Sequence, residues 1–410
     1  MSLSSSDVMV DDPAAFYGRL RAHGQIVPVH LDGDVPAWLV TGYDACNRVL
    51  RDGLTFTRDL GQWRISREGL LPRGWPLAPH VQPMRNMLFA SGEEHTRLRG
   101  AFKTSLAQVG QLRLRTTVTR VADQLIDAFV RDGEADLVSQ YAVPLPGAVL
   151  ARLFGFPAEE ADQLQRDVMT LLGGGEAALD AHAVLNHLIS VHVRRRRKDP
   201  RQDITTWLLD AGLTEEETRE SLWLAINAGV GSSNAWMANT CALLALAEDT
   251  RIDLRSGLQH IPGVMSRVLW DHTPDQQIIG RVATADVELA GTAVRRGDLL
   301  VVSPAAANLD HARIGGDVTR REAYAEGNSS HLSWGNGAHE CPATGLATVL
   351  VQGGVERLWT RLDDLHLTYP DQPTRWSPSI IVRIPAALPV SWDAGRARAR
   401  ATTLASVGAR

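Results

Sequence analysis

Hydrophobic and polar positions divide the chain into a long helical region and a few strand-forming stretches. From about residue 44 to 260, hydrophobic residues recur with the 3.6-residue period of amphipathic helices. Residues 26–41 contain two apolar runs around an Asp-Gly-Asp turn, which predicts a β-hairpin. A second β-rich stretch covers residues 278–303, and the last strand-forming residues lie near 364–392. The pattern predicts a mainly α protein with a small β component.

Proline- and glycine-rich segments predict breaks in the helical region at residues 71–83, 142–147 and 173–175. The chain has no internal repeat and no long linker, so we expect a single large domain over residues 1–393. Residues 394–410 place arginines among small residues and predict a disordered tail.

One predicted helix is unusually long. Thr214 and Glu217 form a capping box, and helical periodicity continues to about Asp249. At 1.5 Å per residue this helix is roughly 50 Å long. Residues 228–234 in its middle read AGVGSSN, and the two glycines cost roughly 2 kcal/mol relative to alanine. The segment marks either a close helix crossing or a groove that receives something flat and bulky.

Composition and charge narrow the classes of function. The 410 residues are 44% hydrophobic and 22% charged, as in an average globular protein. With 42 basic and 47 acidic residues the net charge is −5, which argues against a nucleic-acid or membrane-surface protein. Three cysteines supply neither a disulfide framework nor a cysteine-rich zinc site. We therefore expect a soluble cytoplasmic protein without nucleic-acid or membrane partners.

Cys341 differs from the other two cysteines. It follows a Gly-x-Gly loop and precedes a predicted helix, whose dipole and free N–H groups stabilise a thiolate. Glycines in that loop let the backbone approach a large ligand closely. Cys46 and Cys241 lie within apolar helical patterns, which is typical of buried cysteines. From the residues alone, Cys341 is either a cofactor ligand or the nucleophile of a cysteine hydrolase with His339 as its base.

Residues 334–343 read WGNGAHECPA and resemble the F-x-x-G-x-[RH]-x-C-x-[GA] loop of cytochrome P450, with Trp334 in place of the usual phenylalanine. The resemblance is to the soluble bacterial haem-thiolate monooxygenases and implies that Cys341 is the proximal iron ligand of haem b. It also implies the family's fold, a triangular helical body with the haem between the long central helix and the helix after the cysteine loop.

Other segments extend the resemblance over most of the chain. His95 and Arg99 match the family's H-x-x-x-R helix segment, Arg281 matches the arginine at a strand entry, and His339 matches a position of the cysteine loop. By resemblance these four side chains hold the haem propionates, which is sensible chemistry for cationic donors. Residues 228–233 resemble the A-G-x-[DE]-T-T groove where dioxygen binds, and this makes the catalytic candidates Ala228, Gly229, Gly231, Ser232 and Ser233.

The sequence departs from the family at two places. Gly231 stands where the groove has an acid, so only the Ser232 hydroxyl remains of the acid–alcohol pair that relays protons. In the E-x-x-R motif, Arg267 replaces the glutamate and Trp270 the arginine. Replacing both partners is more tolerable than leaving one buried charge unpaired. We nevertheless expect a less rigid cysteine loop.

The resemblance implies an oxidoreductase that receives electrons from ferredoxin and ferredoxin reductase. Its substrate would be a small organic metabolite in secondary-metabolite biosynthesis. The expected reaction is monooxygenation, or C–C or C–N coupling of aromatic substrates such as cyclic dipeptides. The missing acid makes coupling more attractive than it usually is, because coupling ends by radical recombination instead of oxygen transfer. Plain hydroxylation is expected at least as strongly, since it is the commoner reaction. The alternative is a catalytically degenerate haem-binding scaffold that recruits partners without turnover.

Overall fold

The chain folds into a largely helical body, as the hydrophobic pattern predicts. The structure, a computed structural model, describes residues 2–310, 328–362 and 364–395. The α-helices within these ranges are α1 (Ser5–Val8), α2 (Pro13–Arg21), α3 (Tyr43–Arg51), α4 (Arg64–Arg67), α5 (Ala78–Val81), α6 (Gly92–Ala107), α7 (Gln111–Phe129), α8 (Pro144–Phe154), α9 (Ala158–Gly173), α10 (Ala177–Lys198), α11 (Ile204–Asp210), α12 (Glu215–Leu246), α13 (Glu248–Ser256), α14 (Ile261–Asp271), α15 (Pro304–Asn308) and α16 (Thr344–Arg361).

The β component is small and joins distant parts of the chain. The strands are β1 (Ile26–Leu31), β2 (Val35–Val40), β3 (Phe56–Thr57), β4 (Glu134–Asp136), β5 (Ile278–Ala283), β6 (Val287–Leu289), β7 (Thr292–Val294), β8 (Leu299–Val302), β9 (His366–Leu367) and β10 (Pro389–Ser391). One sheet has the order β1-β2-β8-β5-β3, a second has β4-β10-β9, and β6 pairs with β7. The β2–β8 pair is parallel, whereas β1–β2, β5–β8 and β3–β5 are antiparallel.

Helix α12 is the centre of the helical body. It begins at the predicted capping box, in which the Glu217 N–H donates to Thr214 Oγ1 at 3.1 Å and the Thr214 N–H donates to the Glu217 carboxylate at 3.0 Å. The helix continues for 32 residues through the AGVGSSN segment. It contacts α8, α9, α10, α14 and α16, so apolar side chains cover it on most sides. The site described below lies on the part of α12 that these helices leave uncovered.

The observed elements confirm two predicted β-rich stretches and contradict one predicted break. The hairpin predicted for residues 26–41 is confirmed by β1 and β2, and the β-rich stretch of residues 278–303 by β5 to β8. The break predicted at residues 142–147 is wrong, because a π-helical turn at Val138–Ala142 leads directly into α8. Proline is compatible with the first position of a helix, so Pro144 begins α8 without breaking the chain.

The mainly α fold class is confirmed, and the described residues form a single domain. The boundary at residue 393 stays a prediction. Nearly all of the tail predicted to be disordered, residues 396–410, lies outside the described ranges. Among the described helices, none combines the length and the hydrophobicity needed to cross a membrane.

Gly354 of α16 allows a close approach to α12. A Cβ atom at this position would lie 2.7 Å from Met237 Cε and 3.3 Å from Leu145 Cδ1. Met237 and Leu145 are both fully buried, so they have little room to move. We expect Gly354→Val to lower the free energy of unfolding by about 1–3 kcal/mol, as overpacking does. Chemical denaturation measures this.

The control for this prediction is Gly345→Val on the same helix, where nothing lies within 4 Å of the added Cβ. We expect its free energy of unfolding to change by less than about 0.5 kcal/mol, as for an unhindered surface substitution. Equal losses in the two variants would contradict the close approach of α16 to α12.

Candidate active site

The candidate site is a slot between α12 and the beginning of α16. The two helices meet where Gly354 faces Met237. Nearer the start of α16, residues 341–349 retain accessible surface, and so do Ala228 and Ser232 on α12. Ala228 and Ser232 are four residues apart and therefore share one face of the helix. Small side chains line the slot on the α12 side.

Cys341 lies at the end of the loop that precedes α16. Its N–H donates to the Trp334 carbonyl oxygen at 2.9 Å, which closes the loop. Burial raises the pKa of the Cys341 thiol, while hydrogen bonds from the Ala343 N–H and the Thr344 side chain act in the opposite direction. The helix begins at Thr344 and not at the proline after Cys341, so individual donors stabilise the thiolate more directly than the expected helix terminus.

The other two cysteines lie inside the protein core. Cys46 and Cys241 are fully buried, and burial raises the pKa of each thiol to about 12. Thiols of such high pKa hold their protons at neutral pH and are poor nucleophiles and metal ligands. Both cysteines therefore behave as the buried apolar residues that their sequence patterns predict.

Gly337 fixes the cysteine loop against α3. Its φ of 74° lies in the left-handed region, and a Cβ atom would come within 2.9 Å of the Leu50 carbonyl oxygen and of Arg51 Cα. The neighbouring Asn336 amide donates to Asn47 Oδ1 at 2.6 Å. The sequence interpretation assigned the loop glycines to a close approach by a large ligand. For Gly337, the close approach in the structure is made by the backbone of α3.

A cluster of cationic and imidazole side chains borders the cysteine loop. The rings of His95 and His339 lie 4.5 Å apart between centroids, and Arg99 is one turn after His95 on α6. Burial lowers the pKa of His339 to about 3, and the charges of Arg281, Arg58, His95 and Arg99 contribute to this shift. The structure thus brings together the four predicted side chains and adds Arg58, which the sequence interpretation missed.

Arg58 and Arg281 are buried, and neither forms an ion pair with an acidic side chain of the described ranges. Arg58 Nη1 donates to the Ile279 carbonyl oxygen at 2.8 Å, and Arg281 donates to the carbonyl oxygens of Phe56 at 3.0 Å and Leu50 at 3.2 Å. Burial lowers the pKa of Arg58 to about 9 and that of Arg281 to about 10. Among the described residues, no partner binds the Nε atom of either side chain. Buried guanidinium groups with free donors fit an anionic ligand, such as a pair of carboxylates.

The groove residues of α12 point in different directions. The Cβ position of Gly231 faces α9 and lies 2.3 Å from Leu172 Cδ1, and that of Gly229 lies 3.4 Å from Leu150 Cδ1 on α8. Gly231 therefore allows a close helix crossing, and a side chain at this position would have to displace the terminal methyl group of Leu172. Ser233 is also buried, with 5% of its surface exposed. The glycines of the AGVGSSN segment therefore allow close helix crossings. Ala228 and Ser232 keep accessible surface towards the slot, and the interpretation of the segment as a groove for a flat ligand stays a prediction.

A carboxylate reaches this groove from another part of the chain. Ser232 Oγ donates to Asp275 Oδ1 at 2.8 Å. Asp275 lies between α14 and β5, and its negative charge contributes to the raised pKa of the Cys341 thiol. Asp275 therefore links Ser232 to the region of Cys341. No motif marks Asp275 in the sequence, because only the folded chain brings residues 232 and 275 together.

Arg267 and Trp270 are the positions at which the sequence is expected to depart from the E-x-x-R motif, and both lie on α14. Trp270 is buried and meets the ring of His331 edge-on, with centroids 5.5 Å apart. Arg267 Nε lies 3.6 Å from Asp271 Oδ2 on the same helix. Both residues therefore make contacts of their own, and the departure from the motif stays a prediction.

Hydrogen bonds also tie α14 to the start of the cysteine loop. The Leu269 carbonyl oxygen accepts from Ser333 Oγ at 2.6 Å and from the Asn308 amide at 3.0 Å. The Leu332 N–H donates to Asn308 Oδ1 at 2.7 Å. These hydrogen bonds support the start of the cysteine loop, and the sequence alone does not predict them. The expectation of a less rigid loop stays a prediction.

The cysteine-hydrolase alternative finds little support in this geometry. An imidazole with a pKa of about 3 is a poor general base, and burial raises the pKa of the Cys341 thiol that it would have to deprotonate. His339 instead lies against His95, within the cationic cluster.

Comparison with known proteins identifies the family. A scan of protein-family models gave no match. Biflaviolin synthase CYP158A1 of Streptomyces coelicolor, a cytochrome P450, is 30% identical over 386 residues, which cover 91% of this chain and 92% of that protein. The chain belongs to the cytochrome P450 family. Mycinamicin IV hydroxylase/epoxidase of Micromonospora griseorubida is 29% identical over 394 residues, covering 92% of this chain and 95% of its own length.

A solved structure agrees with this P450 assignment. CYP154C4 from Streptomyces superposes with a TM-score of 0.87 at 26% identity, covering 96% of this chain and 98% of that one. The fold implied by the cysteine-loop resemblance is therefore confirmed, and so is the prediction of a P450-type enzyme. Cytochromes P450 use a haem-thiolate cofactor. The half-buried thiol, the slot and the unpaired buried arginines are compatible with that cofactor.

The position of Gly231 leads to a stability prediction for this P450. We expect Gly231→Ala to lower the free energy of unfolding by about 1–3 kcal/mol, because its Cβ would overlap Leu172. Gly229→Ala, whose Cβ would make an ordinary contact, is the matched control and is expected to stabilise the helix by up to about 1 kcal/mol.

A double-mutant cycle with Leu172→Ala assigns the effect of Gly231→Ala. We expect the double variant to be more stable than the sum of the two single changes by about 0.5–3 kcal/mol, because the smaller residue makes room for the new Cβ. Additive effects in chemical denaturation would show that Leu172 does not limit position 231.

Proposed function

We propose that this P450 binds haem b through the Cys341 thiolate and oxidises a small organic metabolite of secondary metabolism. One observation carries the proposal: Cys341 interacts electrostatically with Asp275, the partner of Ser232 on α12, and with Arg99 of the cluster around His339. Asp275 connects these parts, since it accepts a hydrogen bond from Ser232 and acts electrostatically on Cys341.

The cationic cluster would hold the two haem propionates. Arg58 and Arg281 each present an unused Nε donor, and Nε2 of His95 also has no partner among the described residues. Arg99 and His339 complete the cluster on the side of the cysteine loop. Propionate carboxylates would supply the negative charge that these buried groups lack.

The haem, when bound, supplies the redox chemistry, and the chain determines what reaches it. Ala228 would allow a flat ligand to lie close to α12, because its side chain is a single methyl group. Gly229, the other groove candidate beside it, faces Leu150 of α8 and would act by helix packing. Ser232 would hold a proton at Oγ on the same side of the slot. Met84, Leu88 and Ile381 are partly buried where the helical core meets the core around the five-stranded sheet, and they would exclude water from the substrate.

Monooxygenation is the reaction that we infer first, since the relatives include a hydroxylase/epoxidase. Oxidative C–C or C–N coupling of aromatic substrates such as cyclic dipeptides is the second candidate. One observation favours it: α12 carries no acid of its own at position 231, and coupling can end without oxygen transfer. The relatives also include biflaviolin synthase, which is named as a synthase and not as a hydroxylase.

We further propose ferredoxin and ferredoxin reductase as the electron donors. These carriers are cytoplasmic, so the same proposal places the protein in the cytoplasm. The degenerate-scaffold alternative predicts a haem protein that no reductant turns over, and reduction by a ferredoxin system followed by oxygen consumption distinguishes the two.

Replacement of Cys341 tests the proposed function. We expect the ferrous–CO spectrum of the purified protein to show the red-shifted Soret band of a thiolate-bound haem. Cys341→Ser is expected to abolish this band, because the serine hydroxyl does not supply a thiolate. Cys46→Ser and Cys241→Ser are the matched controls and should retain it. A protein that stays colourless after haem reconstitution would contradict the proposal. Equal loss of the red-shifted Soret band in all three variants would contradict it as well.

The buried charge of Arg58 has opposite effects on the haem-free and haem-bound protein. We expect Arg58→Met to speed haem loss about tenfold or more, because a charge-assisted hydrogen bond contributes roughly 1.5–3 kcal/mol. The same change is expected to raise the melting temperature of the haem-free protein, since it removes an unpaired buried charge. Haem transfer to an apoglobin and thermal unfolding measure the two effects.

Arg67→Met is the control for Arg58→Met, because Arg67 is exposed at the end of α4. It should change neither quantity. Normal haem retention in Arg58→Met would show that Arg58 only binds the Ile279 carbonyl oxygen and takes no part in the cofactor site.

A further inference from the structure

Helix α12 does not provide the groove with a carboxylate. Position 231 is closed by Leu172 of α9, so an acid there would have to displace that side chain. The next residue, Ser232, has accessible surface in the slot and a hydroxyl that can donate or accept. Any carboxylate that acts with this hydroxyl must therefore come from a different element.

Hydrogen bonds of the two neighbouring residues fix the backbone of Asp275. The Arg383 N–H donates to the Pro274 carbonyl oxygen at 2.8 Å, and the Gln276 N–H donates to the Ile381 carbonyl oxygen at 2.6 Å. Hydrogen bonds on both sides of Asp275 fix its backbone against residues 381–383. The carboxylate consequently has a defined position beside Ser232, and it does not depend on a flexible loop.

Among the described residues, no positively charged side chain forms an ion pair with Asp275. Burial raises the pKa of Asp275 to about 6, and the hydrogen bond from Ser232 acts in the opposite direction. Cys341 is the titratable group whose pKa Asp275 affects across the slot. Arg383, on the adjacent segment, is directed elsewhere: its guanidinium lies 3.6 Å from the ring centroid of Trp376 and donates to the Val10 carbonyl oxygen.

We propose that Asp275 is a positioning residue for the groove, which sets the direction of the Ser232 hydroxyl proton and replaces that proton after delivery into the slot. This inference rests on the proposed function, because it concerns the side of the slot where the haem would bind its ligand. It assigns to the segment between α14 and β5 the carboxylate that the central helix lacks.

The two protonation states of Asp275 give the hydroxyl two directions. When Asp275 is ionised, the Ser232 proton lies in the 2.8 Å hydrogen bond to Oδ1 and is withheld from the slot. When Asp275 is protonated, its O–H donates to Ser232 Oγ, and the serine proton turns towards the slot. In delivery, Ser232 gives its proton to a basic oxygen atom, Asp275 gives its proton to Ser232, and water returns one to Asp275. Only O–H bonds change, and no electrons are transferred.

Carbon monoxide is a suitable probe, because it needs no knowledge of the substrate. The experiment records the C–O stretching band of the ferrous–CO complex of the haem-loaded protein between about pH 5 and pH 8, the range that brackets an ionisation near neutrality. We expect the band to shift as Asp275 takes up a proton and the Ser232 hydroxyl turns towards the ligand. Asp275→Asn and Ser232→Ala should each abolish the pH-dependent shift.

Two further variants separate the proposed role from a structural one. Asp275→Glu retains the carboxyl group and should restore the pH-dependent shift at least in part. Asp271→Asn changes a nearby aspartate that faces Arg267, and it should behave as the natural protein does. Asparagine keeps an acceptor for Ser232, so Asp275→Asn is also expected to fold and bind haem normally.

The outcomes are distinct. A pH-dependent shift that persists in Asp275→Asn, or a natural protein with no shift, would overturn the role of Asp275 while leaving the proposed function intact. Absence of the red-shifted Soret band in the natural protein would overturn the proposed function itself. Loss of the shift in both Asp275→Asn and Ser232→Ala, with recovery in Asp275→Glu, is the result that supports the inference.

Discussion

Among the described residues, Arg58 and Arg281 are buried with only backbone carbonyl oxygens as hydrogen-bond partners, and the site depends on this arrangement. A guanidinium group loses much of its hydration when it is buried, and a carbonyl oxygen compensates only part of that loss. These two charges lie among three elements: the end of α3, strand β5 and the cysteine loop, which includes a short 3-10 helix at Gly337–His339. The chain therefore folds around a local excess of positive charge that a dianionic cofactor would neutralise, and this couples the stability of the fold to occupation of the slot.

Neutral side chains hold the cysteine loop to the end of α14. Trp270 packs against the ring of His331, and Asn308 and Ser333 connect α14 to the loop. These contacts use neutral groups, which avoids the desolvation of a buried ion pair. The contacts named here support the loop before Cys341 without a pair of opposite charges.

Sequence patterns predicted the parts of this molecule that rest on local interactions. The capping box at Thr214 located the start of the central helix, and the loop around Cys341 pointed to the haem-thiolate family because its residues are contiguous. Arg58 and Asp275 were not found, since their roles come from pairing between β3 and β5 and from a contact between residues 43 positions apart. The short strands β3 and β4 were also missed, because two or three residues carry no periodic signal.

The close contact between Gly231 and Leu172 has a consequence for how this sequence can change. An acid can enter position 231 by a single substitution only while the neighbouring helix leaves room for its side chain. Here the terminal methyl group of Leu172 occupies that room, so such a change meets a steric barrier until Leu172 moves or is itself replaced. The order in which positions 172 and 231 mutate therefore matters, and the two positions are coupled by epistasis.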